Sequence, residues 1–468
     1  MALSNLAQKK EVKEEQKTIF DVVRSGEHIL IPEACTIKVA IQMLQARQDY
    51  ESQLVVLART IECMPQEGAL ALHKVLTEKY GFAATGFGGE QEIESGFGKR
   101  TKMYWGDFPL PGMGTINTDW TFEKNKIVFR VVAKVPRMYE AKVQQIFAEV
   151  ERVAREESIY RGQPLKVNFY DHEEQEWLKI PEITFMDPTG VKPEHAIYSR
   201  HIEEQLETNL YTPIQRAQDC LANGISVKRG VLLAGTYGTG KTLAAGVAQR
   251  LAWENGITYV YIEHAFQLAK AVIFARMYQS PAAVIFCEDI DRTVSGERNA
   301  KVDEVLNTVD GIDSKNTNIM VVLTTNELES ITPAMLRPGR LDSVIEVTAP
   351  DAEAISRLIK LYGKDVLAPG EDVTEAAEVM AGKIPAVVAE VLKRAKLAQL
   401  AREKPGTRVL SITGAALAVS ARSIVGQMEL LARLEEARKP KTLPTLDDVV
   451  RNAVKQGVKR YSGTPETN

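Results

Sequence analysis

The chain has little of what marks several large classes of protein. Its 468 residues include four cysteines with no C-x-x-C pair, so the sequence offers neither a disulfide framework nor a zinc site. No apolar stretch approaches the roughly 20 residues that span a membrane, and the N-terminus does not resemble a signal peptide. A net charge of −4 gives no overall attraction to nucleic acid or acidic lipid. These absences predict a cytoplasmic protein without a membrane partner and argue against a nucleic-acid partner.

What the chain does contain is a complete glycine-rich motif between a predicted strand and a predicted helix. Residues 235–242 read G-T-Y-G-T-G-K-T, after the apolar run 230–234 and before residues 243–253, whose apolar spacing is helical. In this setting backbone N–H groups close on phosphate oxygens, Lys241 reaches the β and γ phosphates, and Thr242 offers its hydroxyl to Mg²⁺. The motif predicts a nucleoside triphosphate site formed by Gly235, Thr236, Tyr237, Gly238, Thr239, Gly240, Lys241, Thr242 and Leu243.

Two further apolar segments end in polar side chains. Residues 284–287 are followed by Glu288 and Asp289, and residues 318–325 by Asn326. The carboxyl ends of parallel strands share one edge of a sheet, where a phosphate loop also lies. There one carboxylate can hold Mg²⁺ or its water shell, and the other can polarise the attacking water. Asn326 can bond the γ-phosphate or that water, although Asn at a strand end is also an ordinary turn residue.

Together with two arginines further along the chain, these motifs closely resemble the AAA+ ATPases, in the branch with the second region of homology. The resemblance covers roughly residues 194–421 and implies an α/β fold, with a parallel sheet flanked by helices and a helical lid. It implies that Asn326 is sensor 1 and that Arg337 and Arg340 reach the nucleotide of the neighbouring subunit. ATP and Mg²⁺ are the implied ligands, and the implied assembly is a ring, most often a hexamer.

The acidic motif departs from the usual pattern of this family. Most AAA+ proteins have Asp followed by Glu, whereas this chain has Glu288 followed by Asp289. By register, Glu288 takes the metal-side position and Asp289 the water-activating one, although either carboxylate is a candidate metal ligand. Asp is one methylene shorter than Glu, and a misplacement near 1 Å can cost on the order of 10²-fold in rate. The same order occurs in the branch with the mitochondrial translocase of the Rieske iron–sulfur protein. Slow hydrolysis and a backbone set closer both remain open.

The substrate-gripping loop of the threading members is missing from this sequence. In those members an aromatic–apolar–glycine loop projects into the central pore after the second core strand. Here the predicted strand 258–263 is followed almost at once by an amphipathic helix, on which Leu268, Val272 and Ala275 share a face. Phe266 is predicted to belong to the core, and processive threading is not expected.

Changes in composition divide the chain into five predicted segments. They are a charged leader (1–17), a separate N-terminal α/β domain for a protein substrate or adaptor (18–185), the AAA+ core (186–349), the helical lid (350–421) and a C-terminal helical extension (422–468). The boundary before the core depends on a predicted turn at 187–190. Helices are predicted near 352–362, 373–382, 385–403, 413–437 and 445–458. The glycine-rich stretch 81–114 is predicted to be a binding loop or a plain irregular connection.

The sequence leaves three functions open. We expect an oligomeric ATPase that remodels or disassembles a protein partner, in the manner of a chaperone. An ATP-gated scaffold or switch with little turnover is the second. A nucleic-acid motor or loader is the third, and the net acidity and the lack of a recognisable nucleic-acid-binding motif weigh against it.

Overall fold

A computed structural model describes residues 24–25, 28–29, 36–82, 89–123, 126–290, 317–328, 341–368, 370–404, 406 and 411–438. Residues 36–156, here called the N-terminal unit, surround a four-stranded antiparallel sheet of order β3-β8-β7-β6. In chain order the helices and strands up to residue 156 are β1 (Arg24–Ser25), β2 (His28–Ile29), α1 (Ile37–Ser52), β3 (Leu54–Ile61), α2 (Pro65–Lys74), β4 (Glu90–Gly96), β5 (Lys99–Tyr104), β6 (Asp107–Leu110), β7 (Gly114–Glu123), β8 (Lys126–Pro136) and α3 (Glu140–Glu156).

Periodic burial explains how the N-terminal unit packs. Alternate residues of β8 are buried on one face of the sheet, and α3 covers that face with apolar side chains spaced three and four residues apart. The buried side chains are Phe129, Val131, Ala133 and Val135 on the strand and Val143, Ile146, Phe147 and Val150 on the helix. The stretch 81–114 is not one irregular loop, because β4, β5 and β6 lie within it.

The second unit is built on a seven-stranded sheet of order β10-β9-β12-β13-β14-β11-β15. All neighbouring strands are parallel except β10, which runs antiparallel to β9 at one edge. Its elements are β9 (Pro164–Asp171), β10 (Glu176–Phe185), α4 (Arg200–Leu206), α5 (Thr212–Gln215), α6 (Ala217–Ala222), β11 (Arg229–Ala234), α7 (Lys241–Glu254), β12 (Thr258–Ile262), α8 (Leu268–Tyr278), β13 (Ala283–Cys287), β14 (Ile319–Thr325) and β15 (Ser343–Glu346). The predicted α/β fold is confirmed.

The central strands of this sheet are covered on both faces. Every residue of β13 and β14 is buried, as is typical of parallel strands between two layers of helices. The three segments that carry the sequence motifs, 235–242, 288–289 and 326, follow directly on β11, β13 and β14. They therefore meet at the carboxyl edge of the sheet.

The structure moves the predicted boundary between the N-terminal domain and the core. Placing the boundary after residue 185 assigned β9 and β10 to the N-terminal domain, but β9 pairs in parallel with β12 of the large sheet. The pairing of β9 with β12 joins residues far apart in sequence, such as Pro164 and Tyr259, which no local pattern reveals. The units divide instead between α3 and β9. The predicted turn after β10 is confirmed, since Asp187 accepts hydrogen bonds from the N–H and hydroxyl of Thr189.

In the described part of the chain, four helices follow the sheet and form the helical lid. They are α9 (Ala352–Gly363), α10 (Thr374–Met380), α11 (Pro385–Leu400) and α12 (Gly414–Arg438), which share one hydrophobic core. The predicted boundary between lid and extension, after residue 421, falls inside α12, so these two segments are one continuous helix up to residue 438. The helix predicted at 445–458 and the charged leader 1–17 lie outside the described residues.

Among the residues that the structure describes, one helix has the length and composition of a membrane span, contrary to the expectation from the sequence. Residues Gly414–Leu434 of α12 reach a mean hydropathy of 1.2. In its first turns, however, Leu417, Ala418 and Ala421 are buried in the core of the lid. Helices in the core of a globular protein often have the same length and hydropathy, so a single such helix is weak evidence for a membrane.

A buried carboxyl group joins the N-terminal unit to the large sheet. Glu67 of α2 is 3% exposed and accepts hydrogen bonds from the hydroxyls of Tyr278, at the end of α8, and Ser158. Burial raises the pKa of Glu67, against the opposing effect of these hydrogen bonds. Tyr278 is itself fully buried, and the N–H of Met64 donates to its hydroxyl at 3.4 Å. The contact is a small buried polar network across the boundary between the units.

The revised boundary predicts how truncated chains behave. A chain that begins at residue 158 keeps all seven strands, whereas one that begins at 186 loses β9 and β10 and leaves the edge of β12 unpaired. The shorter chain also uncovers the apolar side chains that packed against Leu165 and Phe169. We expect it to unfold at a lower temperature or to aggregate during a thermal melt followed by light scattering. Equal melting temperatures for the two chains would contradict a boundary between α3 and β9.

The raised pKa of Glu67 predicts a pH dependence of stability. Because its pKa in the folded state lies above the ordinary value of 4.5, the stability contributed by the protonated carboxyl is lost as the pH rises through the folded-state pKa. Glu67→Gln keeps an oxygen acceptor but cannot ionise. Its melting temperature relative to wild type should therefore rise as the pH is raised above the ordinary carboxyl pKa of 4.5. Glu92→Gln, at an exposed residue, is the control, and a Glu67→Gln difference that does not vary with pH would contradict the prediction.

Candidate active site

The phosphate loop has the backbone that its glycines allow. Gly235, Gly238 and Gly240 have φ values of 147°, 78° and 104°, in the region that favours glycine. A Cβ atom on Gly235 would lie 2.3 Å from the carbonyl oxygen of Val347, so no other residue fits there. Directly after Gly240 the chain enters α7, and the first N–H groups of such a helix can bind an anion.

Lys241 connects the loop to the neighbouring strand. It is 6% exposed, and its ammonium group donates to the carbonyl oxygens of Gly235 at 2.7 Å and Thr236 at 2.9 Å. It also donates to Oδ1 of Asn326 at 2.9 Å, and Nδ2 of Asn326 donates to Oδ1 of Asp289 at 2.9 Å. The predicted lysine, amide and carboxylate thus form one hydrogen-bonded chain, here called the Lys–Asn–Asp relay.

Glu288 lies on the other side of this edge, beside Thr242. The hydroxyl of Thr242 donates to Oε1 of Glu288, and the hydroxyl of Tyr261 donates to Oε2 at 3.4 Å. Burial raises the pKa of Tyr261, and the neighbouring Glu288 adds to the shift, so its hydroxyl stays a proton donor. A hydroxyl beside a carboxylate is the donor set that a hard divalent cation such as Mg²⁺ prefers. These side chains fit the predicted metal site.

The two acids have different backbones. Asp289 has a φ of 44°, and it is one of two non-glycine residues with a positive φ in the part of the chain that the structure describes. For most side chains this conformation costs roughly 1–2 kcal/mol, although Asp tolerates it better than most. The N–H of Asp289 donates to Oγ1 of Thr324 at 2.9 Å. The structure therefore separates Glu288 and Asp289 by direction: one faces Thr242 and the other faces Asn326.

The lid touches the loop through residues outside the sequence motifs. Tyr198 donates its hydroxyl to the carbonyl oxygen of Gly240 at 2.8 Å, and Arg357 of α9 donates to the carbonyl oxygen of Tyr198. Burial raises the pKa of Tyr198, which keeps this donor protonated. The side chain of Ile384, just before α11, packs near Gly238. Side chains of the lid and Tyr198 thus pack directly behind the phosphate loop.

The remaining predicted site residues have simpler outcomes. Thr239 donates its hydroxyl to the carbonyl oxygen of Thr236 at 3.0 Å within the loop, and Tyr237 is 62% exposed at its tip. Leu243 lies in the first turn of α7. Arg337 and Arg340 lie outside the described residues. The sequence analysis did not identify Tyr261, Thr324 or Tyr198 as site residues. The position of the first two could have been used to find them, because each lies at or near the carboxyl end of a core strand, as the two acids do.

The segment after β12 leaves little room for a projecting loop. Two residues, Glu263 and His264, separate β12 from the turn Ala265–Gln267, which runs into α8. Phe266 is half buried rather than fully within the core, and its ring contacts those of Tyr170 and Trp177, with centroids 5.3 and 5.7 Å apart. Phe266 therefore packs in an aromatic cluster with side chains of β9 and β10.

Comparison with known proteins agrees with this geometry. Residues 231–349 match the model of the "ATPase family associated with various cellular activities (AAA)". This range includes the phosphate loop, both acids, Asn326 and the two arginines. The Lys–Asn–Asp relay and the Thr242–Glu288 pair thus lie within the matched segment, whereas the N-terminal unit lies outside it.

Several curated proteins are similar over about half of this chain. The proteasome-activating nucleotidase of Methanococcus maripaludis (strain DSM 14266) is 27% identical over 281 residues, which are 56% of this chain and 63% of the relative. The cell division cycle protein 48 homolog of Archaeoglobus fulgidus is 30% identical over 48% of this chain and 32% of the relative. The 26S proteasome regulatory subunit 8 of Caenorhabditis elegans is 28% identical over 46% and 54%, respectively. The chain spans less than two thirds of the length of each of these relatives. Residues 231–349 thus match the AAA ATPase family, as the motifs indicated.

Proposed function

We propose that this protein assembles into a ring, which in the family it resembles is most often a hexamer. The ring hydrolyses Mg·ATP at sites shared between neighbouring copies, and it uses this hydrolysis to remodel or disassemble a partner protein. The observation that carries the proposal is the Lys–Asn–Asp relay beside the Thr242–Glu288 pair. It brings a phosphate-binding cation, a metal-side carboxylate and a separate water-side carboxylate to one edge of the sheet. A protein that only sensed ATP would need the first two, but not the third.

The chain's own residues have distinct roles in this hydrolysis. Lys241 and the backbone N–H groups of the loop bind and orient the phosphates. Thr242 and Glu288 would hold Mg²⁺, which supplies charge stabilisation to the phosphate oxygens when bound. Asp289 accepts a proton from the attacking water, and Asn326 holds the carboxylate and that water in line. The two acids divide metal binding and base catalysis between them.

Completion of the site by a neighbouring copy is proposed from the resemblance of the arginine motif. Arg337 and Arg340 would enter the site of the adjacent subunit, where a guanidinium stabilises the charge that develops on the γ-phosphate. In analogous systems such an arginine is worth roughly 10³–10⁵ in rate. One of the similar proteins is named as a regulatory subunit of the 26S proteasome, which supports assembly but leaves the size of the ring to be measured.

Recruitment of the partner is assigned to the N-terminal unit. This unit lies outside the segment that matches the AAA family, and Glu67 bonds it to Tyr278 of α8. A force that a bound partner exerts on the unit would therefore be transmitted through α8 to the sheet that carries Glu288 and Asp289. The two-residue connection after β12 supports remodelling without processive threading. The net charge of −4 gives no support to a nucleic-acid substrate.

Replacing the water-side carboxylate tests the enzymatic role. Asp289→Asn keeps an oxygen acceptor for Asn326 but cannot accept a proton, so we expect hydrolysis to fall by about 10²-fold or more while ATP affinity changes little. Lys241→Ala is the matched variant that should lose ATP binding as well. Phosphate release and binding of a fluorescent ATP analogue measure the two effects. An Asp289→Asn protein that hydrolyses ATP at the wild-type rate would refute the assignment, and a wild type that binds ATP without turnover would favour the switch.

Mixing two inactive variants tests whether the sites are shared. Arg340→Ala leaves its own Asp289 intact but lends no arginine, whereas Asp289→Asn lends its arginine but has no base. We expect each variant alone to be nearly inactive and an equimolar mixture to regain part of the wild-type ATPase activity, because some interfaces then combine both intact residues. The specific activity of the wild type should also rise with protein concentration. A mixture as inactive as its components would mean that each copy completes its own site.

A further inference from the structure

Thr324 holds the backbone of Asp289 from two directions. Its hydroxyl accepts from the N–H of Asp289 at 2.9 Å, and its carbonyl oxygen accepts from the N–H of Ile290 at 3.0 Å. Thr324 is 1% exposed and lies near the end of β14, opposite the residue that follows β13. Where an ordinary strand would continue its pairing, the hydroxyl of Thr324 ends the ladder and fixes a turn.

The turn occurs between a residue of the site and a residue of the core. Glu288 lies beside Thr242, whereas Ile290 is 4% exposed within the hydrophobic core of the sheet. Asp289 joins the two with a φ of 44°. In this conformation its carboxylate reaches Asn326 at 2.9 Å. The position of the short carboxylate is therefore set by the backbone and not by the length of its side chain.

The residue type at 289 fits this backbone. Among residues other than glycine, Asp and Asn enter the left-handed region most readily, because their short polar side chains bond locally. Glu has no such preference, and its extra methylene would carry the carboxylate past Asn326. The reversed order of the two acids is then matched to the turn and is not merely a weaker version of the usual pair.

We propose that Thr324 is a positioning residue for ATP hydrolysis, and that by turning the backbone at Asp289 it compensates for the missing methylene of the water-side acid. This inference rests on the proposed ATPase function. Thr324 acts through Asp289 and does not itself contact the site of reaction. The strand β14 thereby positions two side chains of the relay. It carries Asn326 at its end, and it holds Asp289 through Thr324.

A matched pair of variants separates positioning from simple packing. Thr324→Val preserves shape but removes the acceptor for the N–H of Asp289, whereas Thr324→Ser keeps the acceptor and loses a methyl group. We expect kcat of Thr324→Val to fall about 10–100-fold with nucleotide affinity within about threefold of wild type. Thr324→Ser should stay within about threefold of the wild-type kcat. Equal kcat values for the two variants would overturn the proposal, because a packing role does not distinguish the hydroxyl.

Asp289→Glu tests the same idea without altering the strand. If Asp merely replaced Glu imperfectly, restoring the longer acid would raise turnover. The turned backbone predicts the opposite, a kcat at least about tenfold below wild type with unchanged nucleotide binding. A kcat of Asp289→Glu at or above that of wild type would overturn the proposal. If wild type exceeds Asp289→Asn while Thr324→Val equals wild type, only this inference fails; a wild type without hydrolysis overturns both.

Discussion

Three neighbouring parallel strands, β13, β14 and β11, end at the same edge of the sheet, and the chemistry of the protein depends on this register. Adjacent strands lie roughly 4.8 Å apart, so residues that follow them directly are within hydrogen-bond reach of one another. Asp289 and Asn326 follow β13 and β14, Lys241 begins α7 after the loop that follows β11, and the three side chains form one relay. Because every residue of β13 and β14 is buried, a slip in register would carry the polar residues that follow these strands into the core or draw apolar residues out of it, and is strongly disfavoured. The register of the strands therefore determines both the stability of the core and the alignment of the site residues.

The Glu–Asp order shows how local backbone and residue choice work together. From side-chain length alone, the carboxylate of Asp289 is expected to lie too far from the attacking water. The turned backbone at Asp289, however, also changes the position of this carboxylate. The strain at Asp289 is opposed by two hydrogen bonds to Thr324 and by the burial of Ile290. Strained residues persist where their surroundings determine them, and they concentrate at sites of function. The departure from the family pattern and the uncommon φ of Asp289 are one feature.

How much the sequence revealed depended on the range of the interaction. The phosphate loop, Glu288 and Asn326 were predicted because short motifs carry their own strand and helix context. The positions of most lid helices followed from apolar spacing, but the end of the lid did not, since α12 continues past residue 421. Pairing of β9 with β12 and the contact of Glu67 with Tyr278 join residues far apart in the chain, which no local pattern encodes. Thr324 escaped notice because a buried Thr in a strand is ordinary until its partner is known.

The central claim is that the two acids have divided roles, with Glu288 on the metal and Asp289 on the water. It is tested most directly by a structure of the assembled protein with Mg²⁺, ADP and a planar fluoride mimic of the transferring phosphoryl group. The account predicts Thr242 and Glu288 around the metal and its water shell, and the in-line water within hydrogen-bond distance of Asp289 and Asn326. An in-line water bound by Glu288, with Asp289 turned away from it, would contradict the account.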